Sequence, residues 1–74
     1  MAYGYIHEKY IIDFKVPAVI QELMSTLEQM DKEEDYRYYT NEDMLDITCK
    51  SCCAAGQLTT SQWEVLVRRY WSGD

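Results

Sequence analysis

The sequence is short of nearly everything that marks an enzyme or a membrane protein. It has one histidine, one proline, one phenylalanine and three glycines among 74 residues. It contains no glycine-rich phosphate loop, no serine elbow and no His–Glu metal motif. Its apolar runs are only a few residues long, far below the ~20 needed to cross a bilayer, so no membrane segment is expected. Met1 to His7 offer neither a basic region nor an apolar stretch, which argues against an ordinary secretory signal. The three cysteines, Cys49, Cys52 and Cys53, are odd in number and clustered. That is a poor disulfide framework. Free thiols suit a reducing compartment, so the expected location is cytoplasmic.

Positive charge is scarce too. Thirteen acids face seven bases, for a net charge of −6. Binding nucleic acid requires cations that displace counterions, so direct nucleic-acid contact is not expected. An acidic surface is drawn to basic proteins instead, and those that hold DNA or RNA are the commonest. The excess is concentrated. Asp31, Glu33, Glu34, Asp35, Glu42, Asp43 and Asp46 are opposed in their segment only by Lys32 and Arg37.

What the chain does have is helical periodicity. We expect an all-α fold: one three-helix domain over residues 1–74, made of a helix and an αα-hairpin behind an N-terminal aromatic arm or short strand. The arm, residues 1–13, carries Tyr3, Tyr5, Tyr10, Ile11 and Ile12, which favour extended backbone, although Lys9 to Asp13 also suit a helix start. The first helix is expected over about 14–31, with Asp13 as N-cap and Pro17 in its first turn. Val16, Val19, Ile20, Leu23, Met24, Leu27 and Met30 form its apolar stripe. Gln21, Glu22, Ser25, Glu28 and Gln29 form the opposite face.

The second helix, about 41–55, is expected to be capped by Thr40 with Asp43 at the third position. Its inward face would be Met44, Leu45, Ile47, Thr48, Cys52 and Ala55, and Gly56 would end it. The third, about 60–71, has a capping box of Thr59 and Gln62 and a staple of Leu58 on Trp63. Trp63, Leu66, Val67 and Tyr70 line its inner side, and Arg68 and Arg69 complement its dipole.

Three constellations could carry chemistry. The first joins the mid-chain acids to Tyr36, Tyr38 and Tyr39. Tyrosines bring large contact area at low entropic cost. The candidate partner-binding set is therefore Asp31, Glu33, Glu34, Asp35, Tyr36, Tyr38, Tyr39, Glu42, Asp43 and Asp46; the bland alternative is a solvated helix end. The second is the stripe Glu42, Asp46, Cys49 and Cys53 on one flank of the second helix. Cys49 and Cys53 with Asp46 or His7 would make a zinc site, which would stabilise a structural or adaptor domain. The plainer reading is helix packing, with no cofactor. The third is surplus apolar surface at Val65 and Trp71. The arm, a homodimer or a helical partner held by Trp63 and Trp71 would cover it; monomer and homodimer both remain open. A domain this small leaves little room for a pocket of a few hundred Å³, and catalysis is not expected.

The acidic run Asp31–Asp46 lies in a single domain under a hundred residues with no catalytic set. The hairpin from Ala55 to Trp63 is similar to the G-x-L-T-x-x-Q/E-aromatic hairpins of short phage-type proteins. In these respects the chain resembles the small acidic proteins of phages and mobile elements, and anti-CRISPR proteins in particular. The resemblance implies an inhibitor that occupies a basic nucleic-acid groove or regulatory face of an RNA-guided nuclease in the host. It implies no residue roles.

Overall fold

A computed structural model describes residues 2–73. Three helices follow one another: α1 over Ala18–Glu33, α2 over Tyr38–Ala54 and α3 over Thr60–Arg69. Among the described residues there is no strand. The all-α, three-helix reading is what the structure shows.

Helix α1 starts later than the periodicity suggested. Pro17 is its N-cap, with ψ 145° and no side-chain cap, so Asp13 does not serve. The reason is local. The ring of Pro17 disfavours αR at Val16, so the helix cannot run back through Val16 to Phe14. Val16 still enters the core, from extended backbone. Within α1, Ile20 and Leu27 are buried and Leu23, Met24 and Met30 pack partly against them. Val19 is half exposed, contrary to its place in the expected stripe. The five residues of the expected polar face are all exposed.

The turn after α1 closes as a Schellman motif. The amide of Glu34 donates to the Asp31 carbonyl (3.3 Å) and that of Asp35 to the Met30 carbonyl (2.9 Å). Glu34 takes the left-handed position at φ 55°, where glycine is usual. Asp35 then starts α2. Its carboxylate accepts from the Arg37 amide (2.9 Å), and its carbonyl accepts from the Tyr38 amide (3.0 Å). This turn brings the helix start forward to Tyr38, and the expected Thr40 cap lies within α2.

The inward face of α2 also differs from expectation. Tyr38, Leu45, Cys49 and Cys52 are buried, whereas Met44 and Ile47 are 48% and 59% exposed. Tyr38, Leu45, Cys49 and Cys52 stand at i, i+7, i+11 and i+14, one stripe of the helix. Cys49 therefore points into the core, not along a flank.

Gly56 ends α2 as expected, at φ +78°. The Gly56 and Gln57 amides close a second Schellman motif on the Cys53 and Cys52 carbonyls (3.1 and 2.8 Å). The capping box of α3 forms as read. The Gln62 amide donates to Thr59 Oγ1 (3.1 Å), and Gln62 Oε1 accepts from the Thr59 amide (3.0 Å).

Helix α2 packs against both α1 and α3, while α1 and α3 make no close backbone approach. The arm bridges them. It is neither strand nor helix, but irregular backbone with Gly4 at φ +80° and one turn near residues 8–10. The Tyr3 amide donates to the Asp31 carbonyl (2.9 Å), and the His7 amide to the Arg69 carbonyl (2.7 Å). Arg69 Nη1 donates to the Tyr10 carbonyl (3.0 Å). Tyr3, Tyr5, Ile6, Ile12 and Phe14 pack on the core. Ile20, Leu27, Leu45 and Leu66 lie at its centre, each stabilising by about 1.5–3 kcal/mol.

Candidate functional site

The end of α1, the start of α2 and the arm meet at one end of the molecule, and the candidate acidic residues gather around it. They divide into two groups by what they bond. Asp31 is buried at 7% exposure, and its Oδ1 accepts from the Tyr5 amide (2.8 Å). Asp35 is gripped by Arg37, with Oδ2 2.6 Å from Nη2. Those bonds hold its carboxyl below the usual carboxylate range and raise Arg37 in turn. Glu42 accepts from the Ser72 amide (2.6 Å) and hydroxyl (2.8 Å), pinning the segment after α3. Asp46 accepts from Trp63 Nε1 (3.0 Å), tying α2 to α3. These four carboxylates hold the fold together. Glu33, Glu34 and Asp43 are left exposed, Glu33 accepting from Gln29 Nε2 on its own helix (2.8 Å).

The tyrosines divide in the same way. Tyr38 is fully buried and donates to the Tyr70 carbonyl (2.7 Å). Burial pushes its phenol, and that of Tyr70, well above the usual range. Tyr36 is 79% exposed and Tyr39 is 46% exposed. Tyr3, Tyr5, Tyr38 and Tyr39 form one cluster with ring centroids 4.8–6.3 Å apart. Such packing adds to the area each ring buries. The Tyr3 hydroxyl donates to the Glu34 carbonyl (2.6 Å), and the Tyr5 and Tyr39 hydroxyls share a 2.6 Å bond. That bond, followed by burial, pushes Tyr5 up to about 12. The arm thus braces the turn that presents Glu33, Glu34 and Tyr36.

The outer face of α2 adds two residues, Met44 and Ile47, that sequence reasoning assigned to the core, beside the candidate residues Tyr39 and Asp43. At 100° per residue, Tyr39, Asp43, Met44 and Ile47 fall on the side facing away from Leu45 and Cys49. The available signal was that apolar residues fall on opposite sides of α2, more than one buried stripe uses.

The zinc alternative is dispersed. Cys49 is buried, and desolvation pushes its thiol up to about 12. Cys53 Sγ donates to the Thr59 carbonyl (3.6 Å), Asp46 holds Trp63, and His7 Nε2 bonds the Trp71 carbonyl (2.9 Å). Among the described residues, no three such side chains converge as a metal site. A thiol raised this far is also a weak nucleophile.

The arm only partly covers Trp71. His7, Lys9 and Tyr10 face Val67, Arg68 and Trp71 across a cleft of about 340 Å³. Trp71 stays 49% exposed, and Val65 is partly buried. Arg68 turns to Glu64 (2.6 Å). No helix among the described residues is long and apolar enough to cross a membrane. Comparison with protein-family models, with curated proteins and with solved structures finds no match.

Proposed function

We propose that this chain is a non-catalytic, protein-binding inhibitor of the anti-CRISPR kind. It would present an acidic, tyrosine-bearing turn to a basic face of a nucleic-acid-handling protein in the cytoplasm. The observation that carries the reading is Tyr36. Among the described residues it is the most exposed of the large apolar side chains, it stands beside exposed Glu33 and Glu34, and a braced Schellman turn holds it in place. Interface anchors are typically rigid aromatics, and a pre-ordered turn reduces the entropic cost of docking. The two carboxylates would meet lysine or arginine that otherwise grips phosphate. The resemblance to anti-CRISPR proteins supplies the partner class, an RNA-guided nuclease.

The test is inhibition of guided DNA cleavage by a panel of purified RNA-guided nucleases. Glu33→Lys with Glu34→Lys, and separately Tyr36→Ala, should each weaken inhibition by at least ~10-fold, the scale of a buried anchor or a reversed charge. Reversal of Glu8 and Glu22 should not. Glu28 is unsuitable as a control because it accepts from the Tyr70 hydroxyl (2.6 Å). No inhibition at micromolar concentration across the panel, or inhibition indifferent to these variants and to added salt, would reject the reading.

A further inference from the structure

A chain of 74 residues has few large apolar side chains to spare, yet α2 turns Met44 and Ile47 outward, one turn apart. Both lie on the face opposite the buried Tyr38, Leu45, Cys49 and Cys52 stripe. We infer that this face of α2 is a docking surface for a second copy of the same chain, packed antiparallel about a two-fold axis near Ile47.

The charge pattern selects that occupant. Glu42 and Asp46 are turned inward to Ser72 and Trp63. The charges left exposed on α2 are Asp43, one turn before Ile47, and Lys50, close to one turn after it. They share a flank of the helix, seven residues or about 10.5 Å apart. An antiparallel copy brings Asp43 of each chain against Lys50 of the other, twice. A parallel copy about a two-fold axis puts this flank of each helix on opposite sides of the contact, so neither Asp43 nor Lys50 meets its complement. The side-chain ammonium of Lys50 lies 5.7 Å from the Trp63 ring. Lys50 is exposed, so this contact leaves its long side chain free to swing outward. Ile47 packs on its own copy at the centre of the contact, with Met44 beside it. Such a contact is isologous and closes on itself, so it yields a dimer and not a filament.

The inference is independent of the partner reading, because Glu33, Glu34 and Tyr36 lie outside the α2 contact. The dimer also bears on function. It would carry one acidic turn towards each end, about 27 Å apart along the helix axis for two starts each nine residues from Ile47.

Sedimentation equilibrium of the purified full chain tests the inference over about 1–500 µM. The expected mass rises with concentration to twice the 8.8 kDa of one chain. Ile47→Glu should raise the dimer Kd at least ~10-fold with unchanged helical circular dichroism, because the side chain is on the surface. Asp43→Lys alone should weaken the dimer, and Asp43→Lys with Lys50→Asp should restore it. A wild-type chain that stays monomeric throughout overturns the proposal. So does a dimer that tolerates Ile47→Glu. A double exchange no better than Asp43→Lys alone overturns the antiparallel register.

Discussion

Replacing Asp31 with alanine separates a structural carboxylate from a binding one. Its Oδ1 accepts from the Tyr5 amide at 2.8 Å in a part-buried setting, while its own carbonyl accepts from the Tyr3 amide. Alanine keeps the carbonyl and removes the side-chain acceptor, leaving the Tyr5 N–H without its partner. A hydrogen bond to a charged acceptor contributes about 1.5–3 kcal/mol net, so Asp31→Ala should cost about 2 kcal/mol. For a domain of this length each kcal/mol moves Tm by roughly 4–8 °C, which gives a fall of about 8–16 °C. Asparagine retains an oxygen at the same place and should lose about half as much. The assay is thermal unfolding by circular dichroism, joined to amide hydrogen exchange. In Asp31→Ala the amides of Tyr3 and Tyr5 should exchange sooner than those of α2, because the arm is released before the helices. A Tm within about 2 °C of wild type would refute the role given to this carboxylate. Equal losses for alanine and asparagine would show that its charge matters, and not its position as an acceptor.

Glu34→Gly should raise Tm by about 4–8 °C in the same melt, since a non-glycine residue at φ 55° costs on the order of 1 kcal/mol. With a thiol reagent at neutral pH, Cys53 should label first and Cys49 only on unfolding, as peptide mass analysis will show; burial holds the Cys49 thiol near 12. Alkaline stability should fall as pH rises from the ordinary tyrosine value near 10 towards the raised values of Tyr5, Tyr38 and Tyr70. The native state keeps protons there that the unfolded chain has lost, so higher pH favours unfolding. Phenolate absorbance should therefore appear in two stages, the later one coinciding with loss of helix.

Legibility in the sequence followed how local the determining physics is. The start of α3 is a four-residue exchange between Thr59 and Gln62, and the end of α2 is one left-handed glycine; both were readable within a turn of chain. The start of α1 was misplaced because its apolar period continues through Val16, while the backbone restriction from Pro17 acts against it. The start of α2 depends on Asp35 accepting from Arg37, a turn that competes with the equally plausible Thr40 cap. The facing of α2 was not local at all. It carries apolar residues on two sides, and the buried one is the side from which Tyr38 reaches the Tyr70 carbonyl 32 residues away. Of the acids gathered by counting charge, Asp31, Asp35, Glu42 and Asp46 serve internal bonds. Charge density along a sequence does not reveal which carboxylates a distant amide, indole or guanidinium will engage.

The strap formed by the first residues has a consequence for how the molecule comes into being. His7 meets the backbone of Arg69 and Trp71, a loop closure spanning 64 positions at its widest. During synthesis the His7 segment must wait, unanchored, until Arg69 to Trp71 have left the ribosome. Closing so long a loop is slow relative to helix formation. The helices can therefore form early, but the wall between α1 and α3 is laid only once α3 and Trp71 are in place.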